Sequence, residues 1–139
     1  MIAYVDSSVI LRLVLGQPSR LREWKRIATG IVSTLVEVEC LRTLDRWRLR
    51  EQVSPHELSL RRAAVSEFLN EMQEVGATKA VFSRASQPMP TPLGTLDAIH
   101  LASALLWREH NEASDMVFAT HDETLALAAR ASGLQTIGT

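Results

Sequence analysis

Apolar side chains follow two rhythms along this chain: short unbroken runs, and longer stretches in which they return every three or four positions. The first run, Ile2-Ala3-Tyr4-Val5, predicts a strand over about residues 2–6. Similar runs at Gly30–Ser33, Met116–Ala119 and Leu134–Ile137 predict three more. Between them the helical rhythm predicts Ser8–Leu15, broken by Gly16-Gln17-Pro18, then a second helix to about Thr29. A long helix to about Glu51 follows the second strand, and another runs from Ser54 to about Val75 before Gly76 stops it. Ala80-Val81-Phe82 fits a strand. Ser83–Gly94 carries three prolines and reads as either a loop or a broken short helix. A helix over about Thr95–Glu109 and a final one ending at Gly133 complete the pattern.

Three helix starts carry local signals. Ser54-Pro55-His56-Glu57 combines an N-cap serine, proline at the first helical position and glutamate at the third. Thr34 with Glu37, and Thr120 with Glu123, have capping-box spacing. Strands alternating with helices predict an α/β fold, a central parallel sheet flanked by helices, as one domain over residues 1–139.

Composition changes this picture little. The chain has 139 residues, long enough for a proper core, and 46% are apolar and 22% charged. Cys40 is the one cysteine, so no internal disulfide and no thiolate metal site can form, which fits a reducing cytoplasm. Asp6 and Arg12 interrupt the apolar opening and no basic segment precedes it, so it is expected to be a buried strand and helix, neither a signal peptide nor a membrane span. Net charge is −1, yet Lys25 and Lys79 are the only lysines. Arg42, Arg46 and Arg50 repeat at helical spacing, either as a phosphate-binding stripe or as a solvated face beside Asp45 and Glu51.

The candidate chemistry lies in four acids at strand ends and helix starts: Asp6, Glu39, Asp97 and Asp122. The carboxyl ends of the strands in an open α/β sheet share one crevice. Four carboxylates meeting there would repel one another unless cations neutralise them, a pattern that points to magnesium or manganese and phosphate chemistry. Each acid also has a structural alternative. Asp6 can cap the following helix, and Asp97 and Asp122 can offset a helix dipole. Glu37 rivals Glu39 but is already assigned to a capping box, and Asp115 precedes its strand, at the far end of the sheet. His100 is read as a structural core histidine on an apolar helix. Trp24, Trp47 and Trp107 are read as helical core or interface residues, and Cys40 lacks a partner that would make it a nucleophile. No glycine-rich phosphate loop, Gly-x-Ser-x-Gly elbow or zinc pattern is present.

Four segments resemble PIN-domain nucleases, in family order and across nearly the whole chain. They are Tyr4–Leu11, with Ser8 two positions after the acid; Ser33–Arg42, which aligns on Glu39; Leu96–Ala104, with the distinctive Asp-Ala-x-His-x-Ala run; and Ala119–Leu125 with its helix. Small proteins of this kind are most similar to the VapC toxins of type II toxin–antitoxin pairs. The resemblance implies a magnesium- or manganese-dependent endoribonuclease, usually a homodimer, restrained by a cognate antitoxin protein. It implies metal-ligating and catalytic roles for Asp6, Glu39, Asp97 and Asp122 in cleavage of an RNA phosphodiester by metal-activated water. Ser8 and Thr120 are then expected to orient carboxylates or water around the ion, and Arg42 and Arg46 to contact RNA. Two features depart from the family pattern: His121 stands where an aromatic often precedes the last aspartate, and the proline-rich loop before Asp97 is this chain's own.

Other readings fit less well. A haloacid-dehalogenase-like hydrolase needs a second aspartate where Ser8 stands, and a receiver domain needs an early acidic pair. A PIN-like nuclease of RNA processing or DNA metabolism shares every motif with the toxin reading. A non-catalytic PIN-like interaction module would be expected to lack one or more of the acids.

Overall fold

Side chains of β1 (Ile2–Val5) alternate between two cores. Ala3 and Val5 point into one, and Tyr4 into the other. The neighbouring strands β2 (Thr29–Ser33) and β4 (Val117–Ala119) do the same, with Val32, Val117 and Ala119 on the first side and Ile31 and Phe118 on the second. A sheet buried on both faces is what nearly continuous apolar strands require. The computed structural model describes all residues, Met1–Thr139, and places five parallel strands in the order β3-β2-β1-β4-β5.

On one face lie α1 (Ser7–Val14), α2 (Leu35–Glu51) and α3 (Pro55–Asn70). The opposite face carries α4 (Lys79–Ala85), α5 (Thr95–His110) and α6 (Glu123–Ala131). The chain therefore builds outward from β1 through β2 to β3, then returns to β1's other edge for β4 (Val117–Ala119) and β5 (Gln135–Ile137). The order reverses between β1 and β4, and there the two strand ends splay their connections to opposite sides of the sheet. Such a switch point opens a crevice at the carboxyl edge. No helix is long and apolar enough to cross a membrane.

The α/β architecture matches expectation, while several local expectations do not. The second helix to Thr29 is a single 3-10 turn, Trp24–Arg26. Its apolar anchors Leu21, Trp24 and Ile27 recur every third residue, which suits a three-residue turn better than an α-helix. Trp24 thus sits on this turn, edge-on to Phe68 at 5.5 Å, and Trp24, Trp47 and Trp107 are all partly buried against the cores. The helix expected to reach Val75 stops at Asn70, because Gln73–Val75 pairs with β2 as the edge strand β3. Ala80-Val81-Phe82 is helical, within α4. Thr78 caps that helix by accepting from the Val81 N–H at 3.3 Å, and of the three residues only Val81 is buried. Residues 83–85 belong to α4, and the prolines follow in irregular chain.

Capping boxes fare unevenly. Ser54 accepts from Glu57 N–H at 3.1 Å as expected. Thr34 already has helical backbone angles and makes no cap; the Ser33 hydroxyl takes the Leu35 N–H at 3.2 Å instead. Thr120 does not cap α6 either. Asp122 does so, accepting from Leu125 N–H at 2.9 Å, and this frees the threonine for the crevice.

Candidate metal centre at the switch point

Asp6 leaves the end of β1 and enters the crevice almost completely buried, 5% exposed. Its backbone N–H donates to Ala119 O of β4, which locks the two strand ends together. One carboxylate oxygen, Oδ2, is saturated: Ser8 N–H at 3.3 Å, Ser8 Oγ–H at 2.7 Å and Thr120 Oγ1–H at 3.0 Å all donate to it. The other, Oδ1, has only long contacts, with Ser7 Oγ at 3.5 Å and His100 Nε2 at 3.9 Å. Asp6 therefore caps α1 and at the same time presents one oxygen to the crevice, so its two readings are compatible.

Ser8 and Thr120 knit this arrangement to β4. His121 N–H donates to Ser8 Oγ at 2.9 Å, and Asp122 N–H to Thr120 Oγ1 at 3.0 Å. Gly138 closes the rear of the loop, accepting from His121 Nδ1–H at 2.7 Å through its carbonyl. Its φ of +102° and the 2.5 Å that would separate a Cβ from Thr120 O leave room for no larger residue.

Glu39 reaches the crevice from the second turn of α2, while Glu37 points to solvent. Its Oε1 lies 2.5 Å from Nε2 of His100, whose Nδ1 is 2.9 Å from the Tyr4 hydroxyl. His100 is fully buried and only 3.9 Å from Asp6 Oδ1. It is thus a core histidine, and also one hydrogen-bonded to Glu39 and close to Asp6, which its place on an apolar helix did not announce. Its i+3 spacing from Asp97 was the available signal. Burial alone would push the imidazole pKa down, but the Glu39 hydrogen bond and the charges of Asp6, Glu39 and Asp97 raise it. These charges favour the protonated ring, the form in which both ring nitrogens donate and the imidazolium offsets part of the acidic charge. Tyr4, buried and facing Asp6, is held well above the ordinary phenol range.

Asp97, in the first turn of α5, is half-buried. Its carboxyl pKa is raised by burial, then by Asp122, by Asp6 and by Glu39, with His100 opposing. The four acids accordingly lie within one another's fields. Asp122 is the most exposed of them and spends Oδ1 on its helix cap. No three His, Cys, Asp or Glu side chains close tightly enough to bind one ion directly. An all-oxygen donor set spread in this way fits a hard cation such as magnesium, which is held by one or two carboxylates and keeps several of its waters.

Other candidates separate from the crevice. Burial, then Glu39 and Asp6, push the Cys40 thiol up to about 12, so it is no nucleophile. Asp115 lies exposed before β4, at the opposite end of the sheet. Arg42 and Arg46 are exposed on α2, three and seven residues beyond Glu39 and on its face of the helix. Arg42 pairs with Asp45 at 3.2 Å, and Arg46 donates to Thr43 at 3.1 Å.

This chain is similar in structure to a protein known from the crystal structure of PAE2754 from Pyrobaculum aerophilum. The two share 17% sequence identity and a TM-score of 0.63, over 98% of this chain and 89% of that one, a likeness of fold. No curated protein matches the sequence. The PIN domain family model matches residues 3–131, a span that takes in β1, the acid-bearing helix starts and β4, and the chain belongs to the PIN-domain family.

Proposed function

We propose that this protein is a magnesium- or manganese-dependent endoribonuclease, the toxin of a toxin–antitoxin pair. PIN domains are typically metal-dependent nucleases, which supports the general chemistry. The observation that carries the reading is Asp6: nearly buried at the switch point, with three donors on one oxygen and the other turned to a crevice shared with Glu39, Asp97 and Asp122.

In this reading Asp6, Glu39, Asp97 and Asp122 hold the divalent ion, partly through waters, and Ser8 and Thr120 fix the Asp6 carboxylate. Bound there, the ion supplies activation of a water nucleophile and charge stabilisation at phosphorus. His100 holds Glu39 by one oxygen, Oε1, and Oε2 has no hydrogen bond within the protein, so Glu39 would keep one oxygen for the ion or its waters. The acids themselves repel RNA, so affinity comes from cationic side chains at the rim, with Arg42 and Arg46 the nearest on α2.

The test is cleavage of single-stranded RNA by purified protein. Wild type is expected to cut with magnesium or manganese and to stop in chelator. Asp6→Asn and Asp97→Asn should remain folded and fall to background. Ser8→Ala and Thr120→Val should lose roughly 10–100-fold, as is usual when groups supporting a ligand are removed. Cleavage that persists in chelator would end this reading.

A further inference from the structure

Behind Glu39 runs a buried chain of hydrogen bonds that begins in the middle of β1. The Tyr4 hydroxyl lies 2.9 Å from His100 Nδ1, and His100 Nε2 lies 2.5 Å from Glu39 Oε1. Tyr4 and His100 are both 0% exposed, while the Glu39 side chain is 21% exposed. We infer that Tyr4 is a positioning residue for the metal centre: acting through His100, it fixes the Glu39 carboxylate and so sets the affinity of the crevice for a divalent cation. The inference deepens the metal-nuclease reading above and rests on it.

A glutamate on a helix is by itself a loose ligand. Its side chain is long and rich in rotamers, and an ion that must order it binds more weakly for doing so. In this protein the fold does the ordering. Tyr4 pairs in register with Phe118 of β4, and the two rings stack at 5.1 Å and 22°. A phenol packed in this way has little freedom, and by bonding Nδ1 it fixes the plane of the imidazole. That plane sends Nε2 to Glu39 Oε1, and Oε2 makes no hydrogen bond within the protein. The chain holds in either form of the ring. Neutral imidazole accepts from Tyr4 and donates to Glu39, and the protonated ring donates to both.

Mutual satisfaction of two buried polar groups would explain Tyr4 and one nitrogen of His100. It does not explain why the other nitrogen reaches an acid at the crevice, 61 positions away in sequence. Strand alternation also puts Tyr4 and Asp6 on the same side of β1, and His100 Nε2 stands 3.9 Å from Asp6 Oδ1. The relay therefore lies directly behind two of the four acids, without presenting an atom to solvent itself.

Manganese binding to the full-length protein, read from the electron spin resonance of free Mn2+ with no RNA present, tests the inference. Tyr4→Phe should bind about tenfold more weakly, at the lower end of the losses seen when groups supporting a ligand are removed. Glu39→Gln should lose at least as much. Tyr4→Phe added to Glu39→Gln should cost nothing further, because the phenol acts only through that carboxylate. A tyrosine that merely stabilises the core would change affinity by the same factor in both backgrounds, or in neither. His100→Gln keeps an amide N–H near the place of Nε2 and should bind more tightly than His100→Asn, whose shorter amide reaches only towards Tyr4. That pair judges the inference if Tyr4→Phe does not fold. Losses that add, unchanged affinity in a folded Tyr4→Phe, or the reverse order of the two His100 variants would overturn it. Wild type that binds manganese but fails to cut RNA would defeat the nuclease reading alone, and the titration would still judge the relay.

Discussion

Asp97 shows what it costs to gather acids in one crevice. Burial and the charges of Asp122, Asp6 and Glu39 raise its pKa above the ordinary 3.8. A carboxyl whose pKa rises on folding holds its proton more tightly in the folded state, so the protonated form stabilises and the ionised form does not. Asp97's contribution is therefore present below the ordinary value and is lost as the pH climbs through the raised one. At neutral pH, Asp97→Asn should melt higher than metal-free wild type, by an amount on the order of a few degrees. Adding magnesium or manganese should raise the Tm of wild type and raise that of the variant less, because binding to the folded state is linked to stability. Calorimetry with and without chelator measures both. A variant that melts lower without metal, or gains as much with it, would mean the carboxylates do not share a site.

Among the elements, the β4–α6 connection does the most for the crevice. Thr120 N–H donates to Ile137 O of β5, its side chain holds Asp6 and Asp122, and the next residue is tied to Gly138. Gly138→Ala would meet a backbone carbonyl and a left-handed φ together. The expected cost is at least about 1–2 kcal/mol, read as a shift of the denaturation midpoint. Activity should fall further than stability explains, since Thr120 must move and carries Asp6 with it. A variant with wild-type activity would show that the Thr120 clamp is dispensable. The pairing Arg84–Glu109, two hydrogen bonds at 3.2 and 2.8 Å, ties the end of α4 to the last turn of α5.

At the level of the whole molecule, the proposal concerns assembly and control. The exposed apolar side chains Val38, Leu49 and Leu60 lie on α2 and α3, on the face of the sheet opposite α5. A homodimer and a complex with a cognate antitoxin are both expected of the toxin reading, and sedimentation of the purified protein tests the first. Expressed alone in its host, the wild-type protein should arrest growth and Asp6→Asn should not, while co-expression of the antitoxin should restore growth. Arrest that survives Asp6→Asn would separate toxicity from the crevice.

The parallel α/β fold was legible because a strand buried on both faces must be largely apolar: β1 and β4 are apolar throughout, and β2 is so at its centre, Ile31 and Val32. Asp6 stood out for the same reason, as an acid ending such a strand. Short edge elements left no such trace: Gln73–Val75 is largely exposed and is a strand because β2 lies beside it. Ala80-Val81-Phe82 is too short for periodicity to separate strand from helix, and the Thr78 cap and the packing of Val81 decided it. The capping spacings at Thr34 and Thr120 were real patterns, but a hydroxyl bonds whatever is nearest, and in the folded chain that was Asp6 for Thr120. His100 could be recognised as buried from its apolar helix. Its bond to Glu39 joins residues 61 positions apart, and only the folding of α2 and α5 onto opposite faces of one sheet edge brings them together.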